Sequence, residues 1–96
     1  MYRTGDVVEC IDDHFTPRQR VSVPHIPVNG GIYTIRQAIP GFRGLGLRLV
    51  EVVNPEITVD FGEGVERQLE PLFLASRFRL LRRREDIVSR EAANAD

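Results

Sequence analysis

The sequence contains no lysine, so all thirteen of its basic residues are arginine. Fourteen acidic residues leave a formal net charge of −1, which supplies no overall attraction to nucleic acid or to an anionic membrane. A preference for arginine is typical of GC-rich genomes, and arginine is also the better side chain for bidentate and stacking contacts. The composition therefore argues against a strongly basic protein but leaves room for a local basic patch.

Cysteine occurs once, at Cys10, so no disulfide can form within the chain. No apolar stretch approaches the ~18 residues of a membrane span, and the first ten residues lack the apolar segment of a signal peptide. These absences predict a cytoplasmic protein of a prokaryote or its phage. The 96 residues are enough for one compact domain.

Short β-branched runs between glycines and prolines predict an all-β domain. The predicted strands are residues 7–11, 32–39, 46–53, 69–74 and 78–81. Pro17, Pro24 and Pro27 argue against a long helix between the first two strands, so a long first loop is expected there. This arrangement is typical of a small five-stranded SH3-like barrel, here over residues 1–81. Residues 82–96 are predicted to form a charged C-terminal tail, frayed or a short helix.

Side-chain alternation makes finer predictions within these strands. Val8 and Cys10 are expected to face inward and Glu9 outward. Leu49 and Val50 are adjacent apolar residues, which predicts a bulge or strong bend. Residues 75–77 are expected to form one helical turn. The segment 57–66 has alternating apolar residues and flanking glycines, so it fits either a hairpin arm or an ordered loop.

Four stretches resemble small uncharacterised proteins found in phages and in prophage-like regions of proteobacterial genomes. They are GDVVECIDD (5–13), PVNGGIYTIR (27–36), GLRLVEV (46–52) and ASRFRLL (75–81). The resemblance covers most of the chain. It implies an SH3-like barrel and a phage-related setting, and it implies no activity and no functional residues.

The leading hypothesis is a non-enzymatic module that binds another protein. In an SH3-like barrel the loop 12–29 and the turn 40–45 lie side by side, and both carry aromatic and arginine residues, which often anchor interfaces. The prolines of the loop lower the entropic cost of binding. The candidate binding residues are Asp13, His14, Phe15, Phe42 and Arg43. Phe15 and Phe42 also fit positions in the core, and the sequence leaves this alternative open.

The second hypothesis is a nucleic-acid-binding accessory protein. A local basic stretch can contact phosphates, and some SH3-like barrels bind nucleic acid. Its candidate residues are Arg77, Arg79, Arg82, Arg83 and Arg84. Glu85 and Asp86 follow directly and partly neutralise the stretch, so a solvated edge is the simpler interpretation.

Metal binding and catalysis find little support in the sequence. Cys10, Asp12, Asp13, His14 and His25 are residue types that bind zinc, but their spacing matches no established zinc motif. No serine or cysteine has the neighbourhood of an activated nucleophile. The glycine-rich segment 41–46 lacks the Lys-Ser/Thr ending of a phosphate loop. We therefore expect no enzyme activity, no metal and no cofactor.

Overall fold

The structure is a computed structural model that describes residues 1–41 and 43–86. In this part of the chain the secondary structure consists mainly of antiparallel strands. The strands are β1 (Val7–Cys10), β2 (Ile32–Gly41), β3 (Gly44–Leu49), β4 (Ile57–Asp60), β5 (Glu66–Leu69), β6 (Phe73–Leu74) and β7 (Phe78–Arg82). Helix α1 spans Pro17–Ser22, and a 3₁₀ turn at Ala75–Arg77 precedes β7. The prediction of an all-β class is confirmed, as is the helical turn at 75–77.

Five strands form the main sheet in the order β6-β3-β2-β1-β7, with antiparallel neighbours. Strand β1 lies between β2 and β7, so that Val8 is opposite both Tyr33 and Leu80. Strand β2 pairs with β1 through residues 32–34 and with β3 through residues 35–41. Strands β1 and β7, the first and last strands in the sequence, are therefore neighbours in the sheet, although about 70 residues separate them in the chain.

Strand β2 contains a bulge where its two pairings meet. The register against β3 shifts between Ile35 and Gln37, which leaves Arg36 as an extra residue. The bend that the sequence predicted at Leu49 and Val50 is also present, since β3 ends at Leu49 and the chain bends at Val50 and Glu51. The Arg36 Nε donates to the Leu49 carbonyl at 3.0 Å, and its Nη2 donates to both carboxylate oxygens of Glu70 at 2.8 and 2.7 Å. The bulge therefore holds the segment after β5 against β2.

The core lies on the inner face of the main sheet, and every strand of that sheet contributes to it. Its buried hydrophobic residues are Val8, Cys10, Ile35, Leu47, Leu49, Phe73 and Phe78. The predicted inward positions of Val8 and Cys10 are confirmed, since both side chains are fully buried. Burial of this cluster is the main stabilising contribution available to so small a domain.

The segment 57–66, left open by the sequence, forms most of a two-stranded hairpin outside the main sheet. We call β4, β5 and the turn between them the arm (residues 57–69). Ile57 pairs with Leu69 and Asp60 with Glu66. The predicted strand over 69–74 is wrong in extent, because Leu69 ends β5 and only Phe73–Leu74 pairs with β3. Pro71 lies between the two pieces and has no N–H for a sheet hydrogen bond.

The first loop contains a short helix that the sequence prediction missed. Thr16 caps α1: its hydroxyl accepts from the Gln19 N–H at 3.1 Å, while the Gln19 side chain accepts from the Thr16 N–H at 2.8 Å. Pro17 occupies the first turn, where its missing N–H costs nothing. Prolines thus excluded only a long helix. Among residues 1–41 and 43–86, no helix has the length and apolar character to cross a membrane.

Strand β7 runs to Arg82, one residue beyond the boundary at 81 that the sequence suggested for the domain. The next two residues also contact the body of the protein, since Arg83 and Arg84 both donate to the Asp6 carboxylate. Residues 87–96, most of the predicted tail, lie outside the described part of the chain.

Candidate functional site

A groove opens where the first loop meets the turn between β2 and β3. We call it the loop-face groove; its volume is about 260 Å³. Its lining residues are Phe15, Gln19, Val23, Arg43, Leu72, Phe73, Leu74 and Arg77. Phe15 and Arg43, two residues predicted from the sequence on separate segments, meet here.

Phe15 is half-buried and contacts the core while lining the groove. Its ring packs edge-on against Phe73, with centroids 5.9 Å apart and planes at 72°. The guanidinium of Arg77 lies 4.0 Å from the centre of the same ring, a distance at which cation–π attraction is favourable. Phe15 therefore packs on the core with one part of its ring and lines the groove with another, so each of its two predicted positions, core and surface, is partly correct.

Arg77 holds the start of the first loop through contacts with Asp12 and His14. Its Nη1 donates to the carbonyl oxygens of Asp12 and His14 at 3.3 and 3.4 Å, and lies 3.4 Å from the Asp12 carboxylate. Only 14% of its side chain is exposed. The charge of Arg77 is therefore used within the fold and is poorly placed to reach a phosphate.

Asp13 and His14 take different positions at the edge of the site. The Asp13 carboxylate accepts from the Asn29 N–H at 3.0 Å, so it closes the long loop. The imidazole of His14 is 90% exposed, with Nδ1 3.0 Å from the Asp12 carboxylate. Hydrogen bonds from the His14 N–H and ring lower the pKa of Asp12, and the charge of Arg77 adds to this. Within the described residues, no three Cys, His, Asp or Glu side chains are grouped to hold a metal ion.

Five lining residues of the groove were not among the candidates predicted from the sequence: Gln19, Val23, Leu72, Phe73 and Leu74. The signal for Gln19 in the sequence is the capping pattern Thr-Pro-Arg-Gln, which predicts the start of a helix at this point. Val23 is the C-cap residue that follows α1, so its position depends on that helix. Leu72 packs so closely on Gly46 that a Cβ there would lie 2.9 Å from the Leu72 Cβ. Phe42, the fifth predicted binding residue, lies outside the described residues.

The arginines proposed for nucleic acid do not gather into one free surface. Arg79 forms an ion pair with Glu9 at 2.5 Å, and Arg83 forms one with the buried Asp6 at 3.0 Å. Arg77 is held beneath Phe15, as described above. Of the five, Arg82 and Arg84 are exposed with no ion pair among the described residues. The geometry adds no support to the nucleic-acid hypothesis.

A second and larger cleft separates the arm from the end of the β2–β3 hairpin. We call it the arm cleft; its volume is about 660 Å³. Its lining residues are Ile39, Pro40, Gly41, Arg48, Phe61, Leu69 and Leu72. The Phe61 side chain is notably open to solvent, at 57% exposure. An exposed aromatic residue in an apolar cleft is typical of an interaction surface.

Arg48 supplies positive charge to the arm cleft. It donates to the Gln37 side chain at 2.7 Å and to the Glu70 carbonyl at 2.8 Å, and no described carboxylate forms an ion pair with it. Burial alone would raise the pKa of Glu70, but hydrogen bonds from Arg36 and the Asn54 N–H outweigh it, and the pKa lies below its usual value. Arg36, Arg48 and ionised Glu70 leave one net positive charge beside the cleft.

No protein-family model matches the chain, and neither a curated protein nor a solved structure shows significant similarity to it. The resemblance to phage-type proteins therefore stays a prediction from the sequence.

Proposed function

We propose that this chain is a non-enzymatic protein-binding module built on an SH3-like barrel, acting in the cytoplasm of a bacterium or its phage. The strand order, the long first loop and the 3₁₀ turn before the last strand support the barrel. The cytoplasmic setting is in keeping with a fold whose lone cysteine, Cys10, is free.

The observation that carries the binding function is the convergence of Phe15 and Arg43 in the loop-face groove. The groove has aromatic walls in Phe15 and Phe73 and an exposed arginine, Arg43, at its mouth. An apolar side chain fills such a groove while a carboxylate next to it meets the arginine. The proposed ligand is therefore a short segment of a partner protein that carries an apolar residue beside an acidic one.

Capture experiments with matched variants test this proposal. Val23→Asp places a charge in the groove, and Arg43→Glu reverses the charge at its mouth. Val21→Asp is the control, because Val21 lies on α1 with 85% exposure and does not line the groove. The proposal predicts one host or phage protein that is retained by the native chain and by Val21→Asp and lost with both groove variants.

Binding measured between the purified captured protein and the purified variants then tests whether the contact is direct. The captured protein, expressed alone, should bind the native chain and lose at least tenfold in affinity with Arg43→Glu, about 1.4 kcal/mol. Equal binding of the captured protein by the native chain and all three variants would show that the groove is not the binding site. Binding of DNA or RNA that weakens steeply with salt, in place of protein binding, would favour the nucleic-acid hypothesis instead.

A further inference from the structure

The outer edge of β4 has no neighbouring strand in the part of the chain that the structure describes, since β4 pairs with β5 alone. Phe61 donates its N–H to the Val65 carbonyl at 2.9 Å, and hydrogen-bonded pairs alternate along an antiparallel ladder. The odd-numbered residues of β4 therefore bond β5, while the backbone N–H and C=O of Thr58 and Asp60 point away from it. A free edge of this kind is a template for a further strand.

The side chains along this edge fall on two different faces of the arm. The first face is apolar apart from one arginine, and its directly paired residues are Ile57 with Leu69, Val59 with Arg67 and Phe61 with Val65. Arg67 lies on β5, one strand away from the free edge. The first face of the edge itself is therefore apolar, and its Phe61 is 57% exposed. The second face of the edge carries Thr58 and Asp60.

The free edge of β4 is complementary to itself in one antiparallel register. A two-fold axis at Val59 places each Val59 opposite its own copy and Ile57 opposite Phe61 of the second copy. Thr58 then lies opposite Asp60 of the second copy, and these outward-pointing residues form the hydrogen-bonded pairs of the new ladder. The backbone groups that β5 leaves unused are thus the ones that a second β4 requires.

The side chains on both faces fit this register. On the apolar face, Ile57 covers the exposed ring of Phe61, and a β-branched residue opposite an aromatic one stabilises a sheet. On the polar face, the Thr58 hydroxyl accepts from the Gln68 Nε2 at 2.6 Å. Its own proton is therefore available to the Asp60 carboxylate of the second copy.

The neighbouring registers of β4 bring like charges together. Two-fold symmetry requires one residue to lie opposite its own copy, because hydrogen-bonded and non-hydrogen-bonded pairs alternate. An axis at Thr58 would place Asp60 opposite Glu56 of the second copy, and an axis at Asp60 would place the two Asp60 side chains together. Like charges directly opposite each other are destabilising, so the charges favour the register centred on Val59.

The free edge of β5 is a poorer match for a second copy. An axis at Glu66 or at Arg67 would place a charge directly opposite its own copy. An axis at Gln68 would place Glu66 opposite Glu70 of the second copy. Each of these pairings is repulsive, so β4 is the edge of the arm that fits another arm.

We propose that two copies of this chain form a symmetric dimer through the outer edges of their β4 strands. The two arms then make one continuous antiparallel sheet in the order β5-β4-β4-β5. The contact is a single pair of short strands, so its area is below that of a standard interface and the dimer is a weak one. It uses a surface different from the loop-face groove, so it neither requires nor replaces the proposed binding function.

The first test measures the mass of the full chain by sedimentation equilibrium from roughly 1 µM to 1 mM, the range in which moderate and weak complexes dissociate. The expected result is a dimer of twice the 10.9 kDa chain mass. Thr58→Pro removes an N–H that bonds only the second copy, and it should weaken the dimer by about tenfold or more. Gln68→Pro is the control, because its N–H points outward from the opposite edge of the arm, and it should change the affinity by less than about twofold. A monomer at every concentration, or equal effects of the two variants, would overturn the proposal.

A second test of the register uses cysteine. The Cα atoms of a non-hydrogen-bonded pair at the axis lie about 4.5 Å apart, within the range of disulfides. Val59→Cys should therefore form a disulfide between two copies on mild oxidation. Arg67→Cys is the control on the same face of β5 and should stay monomeric. The native Cys10 is buried and does not compete. Equal cross-linking of the two variants would refute the register.

Amide hydrogen exchange tests the same contact in the native chain, so it decides if Thr58→Pro does not fold. The N–H groups of Thr58 and Asp60 should exchange more slowly at 1 mM than at roughly 10 µM, because the dimer protects them. The outward N–H groups of Glu66 and Gln68 should exchange equally fast at both concentrations. Protection of Thr58 and Asp60 that does not change with concentration would contradict the dimer.

Discussion

The carboxylate of Asp6 binds the main chain of Arg84, with the Arg84 N–H donating to Oδ1 at 3.0 Å. The other oxygen accepts from the Arg3 N–H at 2.9 Å and from the Arg83 guanidinium at 3.0 Å. Asp6 itself is only 1% exposed. A single buried side chain therefore joins the residue before β1 to the residues after β7, at the edge where the first and last strands pair.

Asp6→Asn is expected to lower the free energy of unfolding by about 1–3 kcal/mol at neutral pH, because the amide cannot accept from all three donors. Chemical denaturation measures the change. Glu56→Gln is the control: it removes one exposed carboxylate, so its effect should stay within about 0.5 kcal/mol. Equal effects of the two variants would show that the network contributes nothing.

The same carboxylate predicts how stability depends on pH. Burial alone would raise the pKa of Asp6, but hydrogen bonds from Arg84, Arg3 and Arg83 outweigh it, and its pKa lies below the usual value. A lowered pKa in the folded state contributes stability above the unfolded pKa of ~3.9, and this stability is lost as the pH falls through the folded value. The difference between the native chain and Asp6→Asn should therefore be full at pH 6 and shrink below about pH 4. A constant difference would contradict the assignment.

Two truncations separate the contacts of Arg83 and Arg84 from the rest of the tail. Deletion of residues 86–96 is expected to cost less than about 1 kcal/mol, because that segment has few apolar residues to bury. Deletion of residues 83–96 should cost about 3 kcal/mol or more, since Asp6 would be left buried without its cation. Thermal or chemical unfolding of both forms measures this. A large loss for both forms would mean that residues 86–96 pack on the domain, and a small loss for both would mean that Arg83 and Arg84 contribute little.

Arg77→Lys is expected to destabilise the protein by about 1 kcal/mol. A lysine keeps the charge, but it has no planar guanidinium to lie over Phe15 and cannot bond Asp12 and His14 in the same geometry. Arg82→Lys is the matched control in the exposed end of β7. Unfolding curves of the two variants that coincide would show that the brace beneath the loop is not stabilising.

Cys10 should react slowly with a thiol reagent in the folded protein and rapidly in denaturant. Its side chain is fully buried, and burial raises the pKa of its thiol, so the reactive thiolate is scarce. The rate should follow unfolding of the domain when denaturant is added. A native rate equal to that of a free thiol would mean that the sheet opens readily around β1.

The strands that the sequence predicted well are those with a strong local pattern. Val8 and Cys10 were placed inward by simple alternation, and Tyr33 to Arg36 lie in a strand because the run is β-rich and bounded by glycine and proline. The strand over 69–74 failed because Leu69 pairs with Ile57 in the arm. The pattern of apolar residues does not say which partner a strand will take.

The candidate site was partly legible. The SH3-like topology expected from the sequence placed the first loop beside the 40–45 turn. In the structure Phe15 and Arg43, one from each segment, line the same groove. The arm cleft was not predicted, because Phe61, Leu72 and Arg48 belong to three segments whose proximity depends on the bulge at Arg36 and its bonds to Glu70. The ion pairs that Glu9 and Asp6 form with two arginines of the run 77–84 were not predicted either, since adjacency in sequence does not show such long-range partners.

By itself the sequence determined the all-β class, the inward face of β1 and the absence of an internal disulfide, because these depend on local periodicity, turn residues and the cysteine count. The tertiary structure alone decided which charges are free and which apolar residues stay exposed. Arg77 and Arg43 show this difference: both line the loop-face groove, but Arg77 is 14% exposed and held by an aromatic ring, while Arg43 is exposed. Whether a guanidinium is available depends on which long-range partners the fold brings within hydrogen-bonding distance, and residue order does not encode that distance locally.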